Sequence, residues 1–99
     1  MKIKWNKTAL KNLISALEFF EENDSFNYSI RFEKELIEKI KELPNSFQQY
    51  PLDKFRFQND GTYRVLFVDS YRISFRVNLN EIQILRIRHT SRNPVYYKK

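Results

Sequence analysis

Tyr71-Arg72-Ile73-Ser74-Phe75-Arg76-Val77 alternates apolar and polar side chains without a break. A period of two belongs to a strand with one face buried, so Tyr71, Ile73, Phe75 and Val77 are expected to face a core, with Arg72 and Arg76 facing away. Residues 62–68 before it read as a second strand, with Tyr63, Val65 and Phe67 turned inward and Arg64 outward. Asn78-Leu79-Asn80 is a turn, and residues 81–88 form the last strand. There Ile82 and Ile84 fit one register and Leu85 and Ile87 the other, which predicts a bulge near Ile84 and brings Arg86 and Arg88 to the open face. Upstream, Phe55, Arg56 and Phe57 read as one more strand, joined to residues 62–68 by Asn59-Asp60-Gly61, the strongest hairpin signal in the chain. The expected product is an antiparallel meander with Arg64, Arg72 and Arg76 on one open face.

Toward the N-terminus the period changes to that of a helix. After the alternating Lys2-Ile3-Lys4-Trp5, a first strand, Asn6 or Thr8 can cap a helix whose apolar positions are Leu10, Leu13, Ile14, Leu17 and Phe20. Asn23-Asp24-Ser25 supplies a stop and a new cap. Phe26, Ser29, Phe32, Leu36, Ile37, Ile40 and Leu43 then mark a second helix, expected to end at Pro44 because the residue before proline is pushed out of the helical region. So short a connection folds the helices into an antiparallel hairpin. The order strand, helical hairpin, four-strand meander defines a two-layer α+β domain, β-α-α-β-β-β-β, with the helices on one sheet face. One such domain is expected to occupy residues 1–99.

Composition narrows the chemistry. Cysteine is absent and histidine occurs once, which leaves no plausible zinc cluster, and the single glycine provides no glycine-rich phosphate loop. No cofactor or metal is expected. No apolar run is long enough for a membrane helix and the first residues lack a secretory signal, so a cytoplasmic location is the default expectation. Residues 1–50 carry eight basic and eight acidic side chains, whereas residues 51–99 carry ten and four, so the whole net charge of +6 lies in the second half. Seven of those ten are arginines, whose planar forks suit phosphate or carboxylate. The alternatives are a merely solvated basic face and an anion-binding surface for nucleic acid or an acidic protein.

Ala9, Leu13, Phe32, Leu36, Ile40, Leu43 and Pro44, then Arg64, the strand at residues 71–77, and Ile82-Gln-Ile-Leu-Arg-Ile-Arg-His-Thr-Ser-Arg-Asn-Pro94 together resemble the RelE/ParE superfamily. These are toxins of bacterial type II toxin–antitoxin systems of the plasmid-stabilisation kind. His89-x-x-Arg92-x-Pro94 is the most specific part of the resemblance and leans toward the ParE branch. The resemblance implies a growth inhibitor covered by a cognate antitoxin, an acidic segment of which would lie on the basic sheet face. It also implies a target, either DNA gyrase for ParE-like members or ribosome-bound mRNA for RelE-like endoribonucleases.

Metal-independent RNA cleavage needs a base, cations for the extra phosphate charge, and an acid for the departing oxygen. By resemblance, Arg64 stands where RelE-like members place a phosphate-stabilising arginine, and Arg86, Arg88 and Arg92 can share that work. His89 is the candidate base and Tyr96 the candidate acid or stacking platform. Lys54 is a lone counterpart of the lysines such nucleases use, and no carboxylate stands in for their glutamate. Lys54, Arg56, Arg72, Arg76, Arg86 and Arg88 are the candidates for binding nucleic acid or antitoxin. Structural readings stand beside these: His89 fixing the turn toward Pro94, Arg64 pairing with Asp60 or Asp69, Tyr96 and Tyr97 covering the core or touching the antitoxin. A nonenzymatic RNA-binding module is the alternative from another class.

Overall fold

A computed structural model describes residues 1–23 and 25–91. The elements are β1 (Lys2–Trp5), α1 (Lys7–Asn23), α2 (Phe26–Ser46), a single 3-10 turn (Phe47–Gln49), β2 (Tyr63–Val68), β3 (Tyr71–Val77) and β4 (Glu81–His89). The four strands form one sheet in the order β1-β4-β3-β2, antiparallel except that β1 runs parallel to β4. The helical hairpin covers one face, as the alternation of β3 requires. The domain is α+β and two-layered.

Local chemistry explains the element ends. The Asn6 side chain accepts from the Ala9 amide at 2.7 Å and starts α1, and Ser25 does the same for α2 through the Tyr28 amide at 3.0 Å. The β2–β3 hairpin turns on Asp69 and Ser70, with Asp69 at φ +51°, a conformation that its short polar side chain tolerates. Tyr28 donates its hydroxyl to Asp69 at 2.6 Å and ties that turn to α2. The core is built from Phe32, Leu36 and Leu43 of α2 against Leu66, Ile73, Phe75, Ile82 and Ile84 of the sheet. Phe20, Phe32 and Tyr71 add an edge-to-face cluster with centroids 4.9–5.5 Å apart.

The bulge falls where the two isoleucine pairs conflict. Phe75 pairs with Ile84 but Ser74 with Arg86, so Leu85 is the extra residue, and Ile82, Ile84 and Ile87 all reach the core. Four other expectations are corrected. First, residues 55–57 form no strand: Phe55 and Phe57 lie in turns and Arg56 is a single bridge residue; the chain bridges Leu52 to Arg64 and then folds back, and Asn59-Asp60-Gly61 closes this loop rather than a hairpin, with Gly61 at φ +92°. Among the described residues three strands therefore follow the helices.

Second, β2 has the opposite phase. Leu66 pairs with Ile73 and Val68 with Tyr71 on the helix side, while Tyr63, Val65 and Phe67 share the outer face with Arg76, Ser74 and Arg72. Val65-Leu66-Phe67-Val68 is apolar in both phases, so period two does not decide, and the returning loop buries Val65 on the outer side. Third, α1 buries Ala9, Leu13, Ala16 and Phe20, leaving Leu10 and Ile14 about half exposed. The small alanines let the helix approach the sheet. Fourth, α2 continues through Pro44 to Ser46, because proline there removes only its own amide and the Phe47 amide still reaches the Leu43 carbonyl.

Candidate functional site

The outer sheet face is divided in two. Over β2 and β3 lies a strap, residues 52–62, held by the backbone bonds of Asp53 to Tyr63 and of Val65 to Pro51. Asp53 is buried, and its Oδ1 meets the Arg72 guanidinium at 2.6 Å while also accepting the Phe55 amide. Arg72 lies 4.4 Å from the Phe55 ring centre. Arg56 is itself buried and stacks 3.7 Å from the Tyr63 ring centre. Arg76 approaches the same ring at 4.8 Å, donates to the Thr62 hydroxyl at 3.0 Å, and sits 3.6 Å from Asp60. The Thr62 hydroxyl and amide, followed by Arg76, hold the Asp60 carboxyl below the usual carboxylate range.

The expected open face with three arginines is therefore corrected. Arg64 pairs with Phe75 on the helix side, where Nη1 donates to the Tyr50 carbonyl at 2.6 Å and the guanidinium lies 5.9 Å from the Phe47 ring. It pins the 3-10 connection to the sheet and pairs with neither Asp60 nor Asp69. The reversed phase of β2 is the cause. Arg72 and Arg76 do share the outer face, beneath or beside the strap and each with a carboxylate. Lys54 is exposed on the strap, 5.3 Å from the Phe55 ring.

Among the described residues the other half of the outer face carries no strap. Lys2, Lys4, Gln83, Arg86 and Arg88 project from β1 and β4 there, with Arg88 opposite Arg72 and Arg86 opposite Ser74. β1 pairs only with residues 81–84, so the rest of β4 is a sheet edge flanked by α1. The Asn12 side chain accepts the Ile87 amide at 3.0 Å and closes part of that edge. Beside it runs a groove of two adjoining cavities of about 490 and 460 Å³, both lined by Phe19, Tyr71 and His89. Ile87 lies toward one end and Arg31 toward the other.

His89 lies opposite Tyr71 on the helix side of the sheet, with the rings edge-on at 5.1 Å. Its Nδ1 accepts the Ser91 amide at 3.0 Å and is 2.6 Å from the Ser91 hydroxyl, the turn-fixing geometry of a structural histidine. Arg64 and His89 are not brought together. They are separated by four residues of β3, about 13 Å, and two strand spacings, about 10 Å. Arg92 and Tyr96 lie outside the described residues. Asn12, Asp53 and the groove are the elements that sequence reasoning missed; the Pro51-x-Asp53 turn was a faint signal for the second, and nothing local announces the others.

Among the described residues no cluster of His, Asp or Glu can hold a metal ion, and no helix is long and apolar enough to cross a membrane. What these residues define is a small α+β protein whose usable features are a cationic half-face and an aromatic groove, both suited to a macromolecular partner. The ParE toxin of the type II toxin–antitoxin system parDE is the family model that matches, over residues 3–94, and the chain belongs to that family. A solved structure described as a chromosomal ParDE toxin–antitoxin system from P. aeruginosa superposes with a TM-score of 0.70 at 24% identity, covering 90% of this chain and 95% of that one. No protein of curated function matches the sequence.

Proposed function

We propose that this chain is a growth-arresting toxin that binds DNA gyrase, the target implied by its ParE-like ending, and that it does not cut mRNA. One observation carries the reading: Arg64, the arginine the nuclease resemblance singles out, and Arg72 and Arg76 of the sheet are each engaged by other groups of the protein. Arg72 is held by Asp53, Arg76 by Asp60 and Thr62, and Arg64 by the Tyr50 carbonyl on the opposite face. Arg88 and His89 adjoin in sequence but point to opposite sides of the sheet, so they form no acid–base and cation pair. Toxicity then rests on surface recognition, which needs no catalytic group. The RNA-binding alternative loses support in the same way, since Tyr63 is stacked under two guanidinium groups instead of being presented to a base.

The cognate antitoxin fits the half of the outer face over β1 and β4. An acidic and apolar segment folding on binding would pair with Arg86 and Arg88 and seat its apolar side chains in the groove beside β4. Two assays with the purified chain test the target: gyrase supercoiling and mRNA cleavage in a translating system. The reading expects inhibited supercoiling and intact mRNA. Codon-positioned cleavage that disappears in Arg64→Ala or His89→Ala overturns it.

A further inference from the structure

The ridge of α1 away from its buried face consists of Lys7, Lys11, Ile14, Glu18 and Glu22, flanked by Leu10, as the helical period places them around Leu13, Ala16 and Phe20. Ile14 is 56% exposed and Leu10 46%. The charges on this ridge are segregated: both lysines precede Ile14, and Glu18 and Glu22 follow it, while the Glu21 carboxylate turns toward α2 and accepts the Ser29 hydroxyl at 3.4 Å. Such an order opposes the helix dipole, which favours acidic side chains in the first turn and basic ones in the last; α1 has neither. On α2, by contrast, Glu35 and Lys39 pair locally at 3.3 Å. Lys7, Lys11, Glu18 and Glu22 have no ion-pair partner among the described residues.

We propose that two copies of the chain associate through this ridge, antiparallel about a two-fold axis at Ile14. The pattern is complementary to its own reverse. Lys7 lies about 10 Å before Ile14 along the axis and Glu22 about 12 Å beyond it, with Lys11 and Glu18 about 4–6 Å to either side. Turning a second α1 end for end therefore sets both lysines of each copy against the glutamates of the other and packs Ile14 on Ile14, with Leu10 alongside. This is the self-complementary contact that two-fold symmetry demands. It also places negative charge beside each helix N-terminus. A helix about 25 Å long gives a small interface, below the roughly 1,200 Å² of a stable complex, so the association is weak and micromolar. Arg86 and Arg88 of the cationic half-face border α1 at Thr8 and Asn12, on the flank of the helix away from Leu10 and Ile14.

Sedimentation velocity on the full chain, from about 1 to about 500 µM, measures the association. The wild type is expected to self-associate reversibly, less so in high salt. Ile14→Glu, at an exposed position, should melt like the wild type yet weaken association more than tenfold. Lys7→Glu/Lys11→Glu and Glu18→Lys/Glu22→Lys should each be monomeric alone, and a one-to-one mixture should restore the dimer, because the two ridges are then uniformly opposite in charge. A wild type that stays monomeric throughout overturns the proposal, as does a dimer that survives Ile14→Glu. A monomeric wild type whose Ile14→Glu variant loses antitoxin binding also overturns it and assigns the ridge to that partner.

Discussion

The two halves of the outer sheet face use the same residue type in opposite ways. Over β2 and β3, Arg56, Arg72 and Arg76 are the polar counterpart of a core: they stack on Tyr63 and Phe55 and hold the strap through Asp53, Asp60 and Thr62. Over β1 and β4, Arg86 and Arg88 stand on a half that carries no strap among the described residues, where the acidic Glu81 lies 3.9 Å from Lys4. A count of arginines sees one basic surface. The fold makes one half structural, and on the proposed reading the other half receives a partner, the division that would separate a binding toxin from a nuclease.

The largest effect should come from the strap. Asp53→Ala leaves the Arg72 guanidinium, 15% exposed, without its carboxylate, and such a loss costs about 3 kcal/mol or more. Urea unfolding should show it. A loss under about 0.5 kcal/mol, the scale of an ordinary surface substitution, would mean that the strap does not depend on the pair. In the open half, Arg86→Glu/Arg88→Glu should leave stability within about 0.5 kcal/mol of the wild type but weaken the antitoxin by about 2 kcal/mol, roughly thirtyfold, in titration calorimetry. Unchanged affinity would place the antitoxin elsewhere.

At the boundary between sheet edge and helix, Asn12→Ala should cost about 1 kcal/mol, since it strips the Ile87 amide of its acceptor. Hydrogen exchange at that amide should quicken with it. The smallest effect belongs to Asp60. Its carboxyl is held below the ordinary value when folded, so its contribution is complete above about pH 4 and fades as the pH falls through the carboxylate range. Melting temperature against pH should therefore fall less on acidification in Thr62→Val, which removes the main cause of the shift.

The layout of the fold was legible where the pattern had only one solution. Residues 71–77 alternate strictly and form β3 with the expected faces, and the two isoleucine registers of β4 could both be met only by a bulge. Strand β2 was not legible in that way. Four consecutive apolar residues satisfy either phase, and the choice depends on the strap, which the sequence presents as an apparent strand at residues 55–57. The same ambiguity misplaced Arg64, since the face of an arginine is inherited from its apolar neighbours. In α1 the large residues Leu10 and Ile14 suggested the buried stripe, whereas close approach to the sheet selects Ala9 and Ala16. The site was less legible than the fold because Asp53 to Arg72 and Asn12 to Ile87 join residues distant in sequence. The ParE-like ending at residues 82–94 carried the family, and the family model spans it.

Growth arrest by the double variant Asp53→Asn/Arg72→Gln tests the division most directly. It replaces the ion pair by a neutral hydrogen-bonded one, in which asparagine can still accept the Phe55 amide, and it removes the guanidinium from the strapped half. The account predicts a folded protein that arrests growth as the wild type does and is still neutralised by its antitoxin. A variant that folds normally, by circular dichroism and urea unfolding, yet no longer arrests growth would show that Arg72 acts on the target and would contradict it.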